Sequence, residues 1–341
     1  MEISEIPMSG YERVVRGVEP ASRFHAIIAV HNTNLGPAVG GTRLWSYANE
    51  DAALTDALRL SRGMTYKSAL AGLAFGGGKS VILRPPHGFD REQLFRAHGR
   101  FVEALGGKYV TAEDVGTGTA DMEFVKRETS HVAGLAGRSG DPSPQTARGV
   151  FRAIQAAAQF RWKSRELKGR RVSLQGCGNV GRNLARLLSD AGCKLTVSDV
   201  DQAKASATAG ESGATIVAPE ELVETPCDIF SPCALGGIIN DETLPRLQGL
   251  IVAGGANNQL LEDRHGDVLA ANGVLYAPDY AANAGGIING AIELLDWSRE
   301  HTLRQIDRIY ETILQIFGIA ERSRIPTYQA ADRMAEKRFS R

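Results

Sequence analysis

Short apolar runs alternate with longer stretches of helical spacing along most of the chain, and this pattern predicts strands alternating with helices. In the first part, the predicted strands are HAIIAVHN and SVILR, and Asn49 is expected to cap the helix between them. Further on, the predicted strands are RVSLQ, KLTVSD, CDIF, LIVAGG and VLYAP, and the chain from His301 onward is predicted to be helical. The pattern favours an α/β protein whose second part is a parallel, doubly wound sheet.

A segment rich in glycine, serine, aspartate and proline interrupts the pattern at AGRSGDPSPQ, residues 136–145. Such composition is typical of a linker or hinge. Ser143 is expected to cap, and Pro144 to open, a long helix that follows it. We therefore expect two domains, with residues 1–136 and the final helix, 328–341, in one and residues 137–327 in the other.

Composition excludes several classes of protein. Lysine plus arginine equals aspartate plus glutamate at 39 each, so nucleic acid and anionic membranes are not expected as main partners. No apolar run reaches the roughly 18 residues of a membrane span, and no signal peptide is recognised at the start. The four cysteines form no CxxC pair and the histidines no HExxH motif, so we expect no metal site and a cytoplasmic location.

The segment LQGCGNVGRNLARLL places Gly176, Gly178 and Gly181 in the spacing G-x-G-x-x-G, between a predicted strand and a predicted helix. In that context the glycines allow a tight turn, close approach of a pyrophosphate and close packing of helix on strand. Asp199 ends the next predicted strand, where a carboxylate binds ribose hydroxyls and repels a 2′-phosphate. The sequence therefore predicts an NAD site, which also includes Asn179 and Val180 at the start of the helix.

Three glycines precede Lys79 in LAFGGGKSVIL, which resembles the end of a phosphate-binding loop. The P-loop pattern requires a glycine at position 73, where this chain has Leu73, so that interpretation fails. A lysine in apolar surroundings, with Lys67 as a second cation, is instead expected to have a lowered pKa and to act as a base. Glu113 or Asp114, in TAEDVGTG, is a candidate proton-transfer partner.

The chain resembles the Glu/Leu/Phe/Val dehydrogenases, and most of all their leucine dehydrogenase branch. The matching motifs, in order, are LGPAVGGTRLW, GMTYKSALAG, GGGKSVI, TAEDVGT, GCGNVG, PCALGG, GGANNQL and YAPDYAANAGGIIN. They cover nearly the whole chain. The resemblance implies two domains with an active-site cleft, NAD as cofactor, and assembly into homo-oligomers.

The resemblance also implies roles for individual residues. Lys67, with the backbone near Gly40 and Gly41, would bind the substrate α-carboxylate. Lys79 would activate the water that attacks the imino carbon, and Asp114 would carry the proton to and from the amine. The remaining implied contacts are Asn257 to substrate and nicotinamide, Thr146 to the nicotinamide amide, and Cys233 and Ala234 to the cofactor.

Four positions are assigned to the pocket for the substrate side chain: Val39, Ala112, Ile287 and Gly290. Glutamate-specific relatives carry a lysine at position 39, so glutamate is disfavoured here. Relatives that use leucine carry larger residues at positions 39 and 290, so an enlarged apolar pocket is expected. The expected substrate is leucine or another branched or bulky apolar amino acid. The alternatives are a preference for phenylalanine or tryptophan, and a catalytically silent NAD-binding regulator.

Overall fold

The computed structural model describes residues 1–135 and 140–340, and the chain divides into two compact units. Unit 1 comprises Met1–Gly140, Gly290–Trp297 and Ala335–Arg341, and unit 2 comprises Asp141–Asn289 and Ser298–Met334. Residues 136–139 of the predicted hinge lie outside the described residues. The domain limits expected from the sequence stay a prediction.

The elements up to residue 135 alternate between strands and helices. The strands are β1 (Glu2–Glu5), β2 (Arg13–Glu19), β3 (Phe24–Asn32), β4 (Ala38–Trp45), β5 (Gly76–Leu83) and β6 (Tyr109–Glu113). The helices are α1 (Glu50–Leu70), α2 (Arg91–Glu103) and α3 (Thr119–Lys126). The side chain of Asn49 accepts the backbone N–H of Ala52, so the predicted cap of α1 is confirmed.

The elements from residue 140 begin with a long helix and then alternate again. The helices are α4 (Ser143–Trp162), α5 (Asn179–Asp190), α6 (Gln202–Ser212), α7 (Asp263–Ala271), α8 (Asp279–Ala282), α9 (Gly285–Leu295), α10 (Arg299–Asp307), α11 (Ile309–Ser323) and α12 (Thr327–Phe339). The strands are β7 (Arg171–Gln175), β8 (Lys194–Ser198), β9 (Thr215–Ile216), β10 (Ile229–Pro232), β11 (Ile251–Val252) and β12 (Leu275–Tyr276).

The sheet of unit 1 has, within the described residues, the strand order β1-β2-β3-β5-β4-β6. Strands β5, β4 and β6 are mutually parallel, whereas β1, β2 and β3 pair antiparallel. Alternate residues of β3 enter different apolar clusters: Ala26 and Ile28 pack with residues of α2, whereas Ile27 and Ala29 pack with residues of α1. Helices therefore cover both faces of this sheet, and the parallel strands carry the polar residues discussed below.

The glycines before Lys79 belong to β5 itself, not to a loop that precedes it, so the prediction that the strand begins after Lys79 was wrong. A Cβ atom on Gly77 would lie 2.1 Å from the backbone nitrogen of Thr65 in α1. A Cβ atom on Gly78 would lie 2.6 Å from the ring of Tyr109. These glycines therefore let α1 and Tyr109 approach the strand closely, which covers the lysine that follows.

The sheet of unit 2 is parallel throughout, with the order β12-β11-β10-β7-β8-β9 in the part of the chain that the structure describes. This is the order of a Rossmann fold, in which a dinucleotide binds beside the first strand, here β7. The doubly wound parallel sheet predicted from the sequence is confirmed. The helix before it begins at Ser143 and its cap position is Pro142, so Ser143 is not the cap. Pro142 already has helical backbone angles, and Asp141 accepts the N–H of Ser143.

We expect Gly77→Ala to destabilise unit 1, because the added methyl group would overlap the backbone of α1. The expected loss is about 1–3 kcal/mol in the free energy of unfolding, the usual cost of overpacking. Thermal or urea unfolding of the full chain measures it.

Gly63→Ala is the matched control, because Gly63 lies in α1, the helix that packs on Gly77, and a Cβ atom there would meet no atom of the described residues within 4 Å. Alanine at an exposed helical position is expected to stabilise by about 0.5–1 kcal/mol. Equal stabilities for the two variants would contradict the close packing of α1 on β5.

Candidate active site

An ion pair between a buried lysine and a half-buried aspartate joins two of the parallel strands of unit 1. The ammonium group of Lys79, on β5, is 2.6 Å from Oδ2 of Asp114, which follows directly after β6. Lys79 is only 5% exposed. The backbone N–H of Asp114 donates to Oγ1 of Thr117, which fixes the turn that carries the carboxylate. The structure therefore brings together the two residues that the sequence proposed for proton transfer.

Burial and charge act in opposite directions on this pair. Burial lowers the pKa of the Lys79 ammonium below its ordinary value, and the nearby Asp114 carboxylate only partly offsets that effect. Burial alone would raise the pKa of Asp114, but the positive charges of Lys79 and Arg43 hold it below its usual value. The arrangement thus favours an ionised carboxylate beside an amine that gives up its proton more easily than an ordinary lysine.

The sequence did not single out the residues that surround Asp114 on its other side. Arg43, on β4, donates from Nε to Oδ2 of Asp114 at 3.1 Å and from Nη1 to Asp56 at 2.8 Å. Tyr47 also donates to Asp56, at 2.6 Å. Arg43 lies within the motif LGPAVGGTRLW. Its contacts with Asp56 and Asp114 join separate elements of the fold, so no regular spacing in the sequence predicts them.

The residues expected to contact the substrate are distributed over neighbouring elements of unit 1. Val39, Gly40 and Gly41 lie on β4, Ala112 on β6 and Lys67 in the last turn of α1. A Cβ atom on Gly40 would lie 1.7 Å from the carbonyl oxygen of Gly78, so no larger residue fits there.

The pocket positions differ in how closely they are surrounded. Val39 is 7% exposed. Ile287 and Gly290 both lie in α9, and a Cβ atom on Gly290 would meet no atom within 4 Å among the described residues. There is therefore open space beside Gly290 in the described part of the chain. The enlarged pocket stays a prediction.

The glycine-rich turn of unit 2 has the geometry of a pyrophosphate site. Gly176 has a φ of +92°, which favours glycine, and a Cβ atom on Gly181 would lie 1.8 Å from the carbonyl oxygen of Gly176. By contrast, a Cβ atom on Gly178 would meet no described atom within 4 Å. Packing within the protein thus explains the first and third glycines but not the second, which leaves open the space that a pyrophosphate needs. Asn179 and Val180 begin α5, whose N-terminus favours anions.

Asp199 directly follows β8 and is anchored by the backbone. One carboxylate oxygen accepts the N–H of Cys177 at 2.7 Å, and the other accepts the N–H of Asp201 at 2.8 Å. This arrangement holds a negative charge beside the glycine-rich turn. It fits the two hydroxyl groups of an adenosine ribose and disfavours a 2′-phosphate, so the chain's own residues fit NAD.

Asn257, expected to contact substrate and nicotinamide, has a fixed amide. Asn283 donates to its Oδ1 at 2.8 Å, so the amide nitrogen of Asn257 remains as a donor. Thr146 lies in the first turn of α4 and donates to the carbonyl oxygen of Pro142. Cys233 follows β10, and burial raises the pKa of its thiol to about 11. Ala234 is the next residue, and its backbone nitrogen would lie 2.8 Å from a Cβ atom on Gly176.

Residues 1–135 and 140–340 hold no cluster of three or more histidine, cysteine, aspartate or glutamate side chains arranged to bind a metal ion. No helix in that part of the chain is both long and apolar enough to cross a membrane.

The fold and the glycine-rich turn define a dinucleotide-binding protein with a Rossmann domain, and comparison with known proteins identifies the family. Residues 13–131 match the Glu/Leu/Phe/Val dehydrogenase dimerisation domain, and residues 198–340 match the Glutamate/Leucine/Phenylalanine/Valine dehydrogenase domain. Residues 144–247 also match the NAD-binding domain of D-isomer specific 2-hydroxyacid dehydrogenases. The chain belongs to the Glu/Leu/Phe/Val dehydrogenase family, as the sequence motifs predicted.

Individual relatives match over nearly their full length. Leucine dehydrogenase of Geobacillus stearothermophilus is 51% identical, over 96% of this chain and 90% of its own. L-tryptophan dehydrogenase of Nostoc punctiforme is 49% identical, over 97% and 94%. A crystal structure of L-tryptophan dehydrogenase from Nostoc punctiforme superposes with a TM-score of 0.88 at 46% identity, and covers 97% of this chain and 96% of its own.

We expect Gly178→Ala to weaken NAD binding without loss of stability. The added methyl group meets no atom of the described residues within 4 Å but occupies the space proposed for the pyrophosphate. At least a tenfold increase in the NAD dissociation constant, or about 1.4 kcal/mol, is expected by titration calorimetry or NADH fluorescence.

Gly210→Ala in α6 is the matched control, because a Cβ atom there also meets no described atom within 4 Å. It should leave NAD affinity at the wild-type value. Unchanged affinity in Gly178→Ala would show that the pyrophosphate does not lie against this glycine.

Proposed function

We propose that the protein catalyses the reversible, NAD-dependent oxidative deamination of apolar L-amino acids to the 2-oxo acid, ammonium and NADH. The observation that carries this proposal is the pair of the buried Lys79 and the half-buried Asp114, at 2.6 Å. It supplies an ionised carboxylate and an easily deprotonated amine side by side, and deamination needs both. The relatives that act on leucine, tryptophan and phenylalanine, at 51%, 49% and 43% identity, support the substrate class.

The amino acid is proposed to bind through its α-carboxylate to the ammonium group of Lys67, with the backbone of Gly40 and Gly41 as additional donors or walls. A fixed cation is the partner that a carboxylate requires. Asn257, whose amide orientation is set by Asn283, donates from its amide nitrogen to the substrate. These contacts hold the α-carbon in one orientation, which accounts for much of the rate that positioning can supply.

Asp114 is proposed to take the proton from the substrate's ammonium group, which leaves a neutral amine. The hydride of the α-carbon would go to NAD, which the glycine-rich turn and Asp199 would hold, and an iminium ion would remain. Lys79, in its neutral form, takes one proton from the water that attacks this carbon and, as an ammonium, stabilises the new oxygen. Asp114 returns its proton to the departing nitrogen and takes the proton of the hydroxyl group as the C–N bond breaks, so that ammonia leaves and the 2-oxo acid remains. The two protons then held by Lys79 and Asp114 are released with the products, as ammonium and one free proton.

The side chain of the substrate is proposed to lie against Val39, Ala112, Ile287 and Gly290. None of the four carries a charge, so a side-chain carboxylate would be buried without a partner, at high cost. Glutamate is therefore disfavoured. The open space beside Gly290 admits bulky side chains, and apolar pockets separate substrates by only about 1–3 kcal/mol per methylene.

We also infer that the protein forms homo-oligomers. The match of residues 13–131 to a dimerisation domain supports this inference. A cytoplasmic location and the limits of the two domains remain predictions from the sequence.

The experiment that tests the proposal is a substrate panel with purified protein, NAD and single L-amino acids at mildly alkaline pH, following NADH absorbance. We expect turnover with leucine, valine and isoleucine and none with glutamate. The fastest substrate identifies the preferred side chain.

Lys79→Ala and Asp114→Asn are the controls, and both should abolish turnover while NAD still binds. Turnover with glutamate alone would refute the role of Val39. Binding of NAD without turnover of any amino acid would instead favour a catalytically silent regulator.

We expect Gly290→Leu to favour small substrates over large ones. The added side chain fills the open space in α9, so kcat/KM for phenylalanine and tryptophan should fall at least tenfold relative to that for valine. Steady-state kinetics on the panel measures this ratio.

Gly290→Ala, which adds a single methyl group, should give a smaller change in the same direction. Equal losses for every amino acid would mean that position 290 does not contact the substrate side chain.

A further inference from the structure

Arg43 makes two hydrogen bonds, which link the carboxylate of Asp114 to that of Asp56 on α1. Its Nε binds Oδ2 of Asp114 at 3.1 Å, and its Nη1 binds Oδ2 of Asp56 at 2.8 Å. Asp56 is held in turn by the hydroxyl group of Tyr47 at 2.6 Å and lies near Arg59 at 3.7 Å. The guanidinium group therefore joins a carboxylate after β6 to a carboxylate on α1.

Lys79 and Arg43 bind the same oxygen of Asp114. Lys79 approaches Oδ2 at 2.6 Å from β5, and Arg43 approaches it at 3.1 Å from β4. Two donors on one oxygen fix the rotation of a carboxylate, and Oδ1 is then the oxygen that suits the substrate's amino group. The backbone of Val115 also bonds the carboxylate, and Arg43 adds the second side-chain donor. Without Arg43 the carboxylate would be less constrained about its Cβ–Cγ bond, because a lysine ammonium is a point charge.

The location of Arg43 explains why its side chain reaches both carboxylates. Thr42 binds the buried His98 of α2, so the next residue along β4 is directed to the opposite face, which α1 covers. There the side chain of Arg43 is 22% exposed, that of Asp56 15% and that of Asp114 25%. The network is therefore partly screened from water, and its ion pairs are stronger than those on an open surface.

We infer that Arg43, anchored by Asp56, is a positioning residue that fixes the Asp114 carboxylate for proton transfer with the substrate. The inference rests on the proposed function. Arg43 acts through Asp114, the residue that it contacts.

The charged groups around Asp114 determine how the loss of Arg43 would change the pH profile of the enzyme. Lys79 of β5 and Arg43 of β4 contact the carboxylate, Glu113 precedes Asp114 in the chain, and Asp56 of α1 lies on the far side of Arg43. Loss of the Arg43 charge raises the pKa of Asp114 and also that of Lys79, because a nearby cation disfavours both protonated forms. Deamination needs ionised Asp114 and neutral Lys79, so both changes move the rise of kcat/KM to higher pH.

Arg43 also lines a cavity of about 770 Å³, together with Trp45, Tyr47, Ala52, Thr55, Asp56, Arg59 and Val115. Replacement of Arg43 by alanine would leave a space continuous with that cavity. A free guanidinium ion has the planar fork of the missing side chain and can enter from solvent. This makes chemical rescue a direct test of the two-sided contact.

The test compares the steady-state kinetics of three variants with those of the wild type, with the preferred amino acid and NAD as substrates. Arg43→Ala is expected to lower kcat at least tenfold, to move the acid limb of kcat/KM to higher pH, and to leave NAD affinity unchanged. Millimolar guanidinium should restore part of the rate and move the limb back. Arg43→Lys keeps the charge, so its acid limb should stay close to the wild-type position, but kcat should fall because an ammonium does not span Asp114 and Asp56.

Arg59→Ala is the matched control, because Arg59 lines the same cavity and pairs with Asp56, but its side chain is 63% exposed and does not contact Asp114. It should retain the wild-type kcat and pH profile. If Arg43→Ala does not fold, Arg43→Lys decides: a wild-type kcat in that variant overturns the inference. A fall of kcat in Arg43→Ala that guanidinium does not restore also overturns the inference. An inactive wild type would overturn the proposed function, and the inference with it, whereas an active wild type with unaffected variants would overturn the inference alone.

Discussion

The buried ammonium group of Lys79 determines which residues can surround it in the sheet of unit 1. An isolated charge in such a place is costly, and it is tolerated when a carboxylate is close and further hydrogen bonds satisfy that carboxylate. Asp114 meets the first condition at 2.6 Å, and Arg43 and the backbone of Val115 meet the second. Three neighbouring elements position these residues: Lys79 lies on β5, Asp114 in the turn after β6, and Arg43 on β4.

Close backbone packing makes the burial possible. Gly77 and Gly78 lie in the strand and admit α1 and Tyr109 at distances that any side chain would prevent. Glycine has two different roles in the turn of unit 2. There Gly181 lets α5 pack against the turn, whereas Gly178 faces no described protein atom. Glycine-rich segments that look alike in sequence thus have separate physical causes, and only the contact at each Cβ position distinguishes them.

Much of the fold was predictable because it depends on local patterns. The strand RVSLQ coincides with β7, Asn49 caps α1, and the spacing of Gly176, Gly178 and Gly181 gave the dinucleotide fold. The start of α4 was misplaced because Asp141, not Ser143, accepts the backbone N–H there. Motifs also identified Lys79 and Asp114. Arg43 and Asp56 were missed because their contact joins a strand to a helix, and such pairing depends on tertiary packing, not on periodicity.

The anchoring of Asp199 has a thermodynamic consequence. Its carboxylate already accepts the N–H groups of Cys177 and Asp201, so its orientation is set before any nucleotide arrives. Ordering a flexible side chain on binding costs about 0.5–1.5 kcal/mol, and a side chain held in advance avoids that loss. Recognition of the adenosine half is therefore preorganised, and the binding energy of that half is retained as affinity.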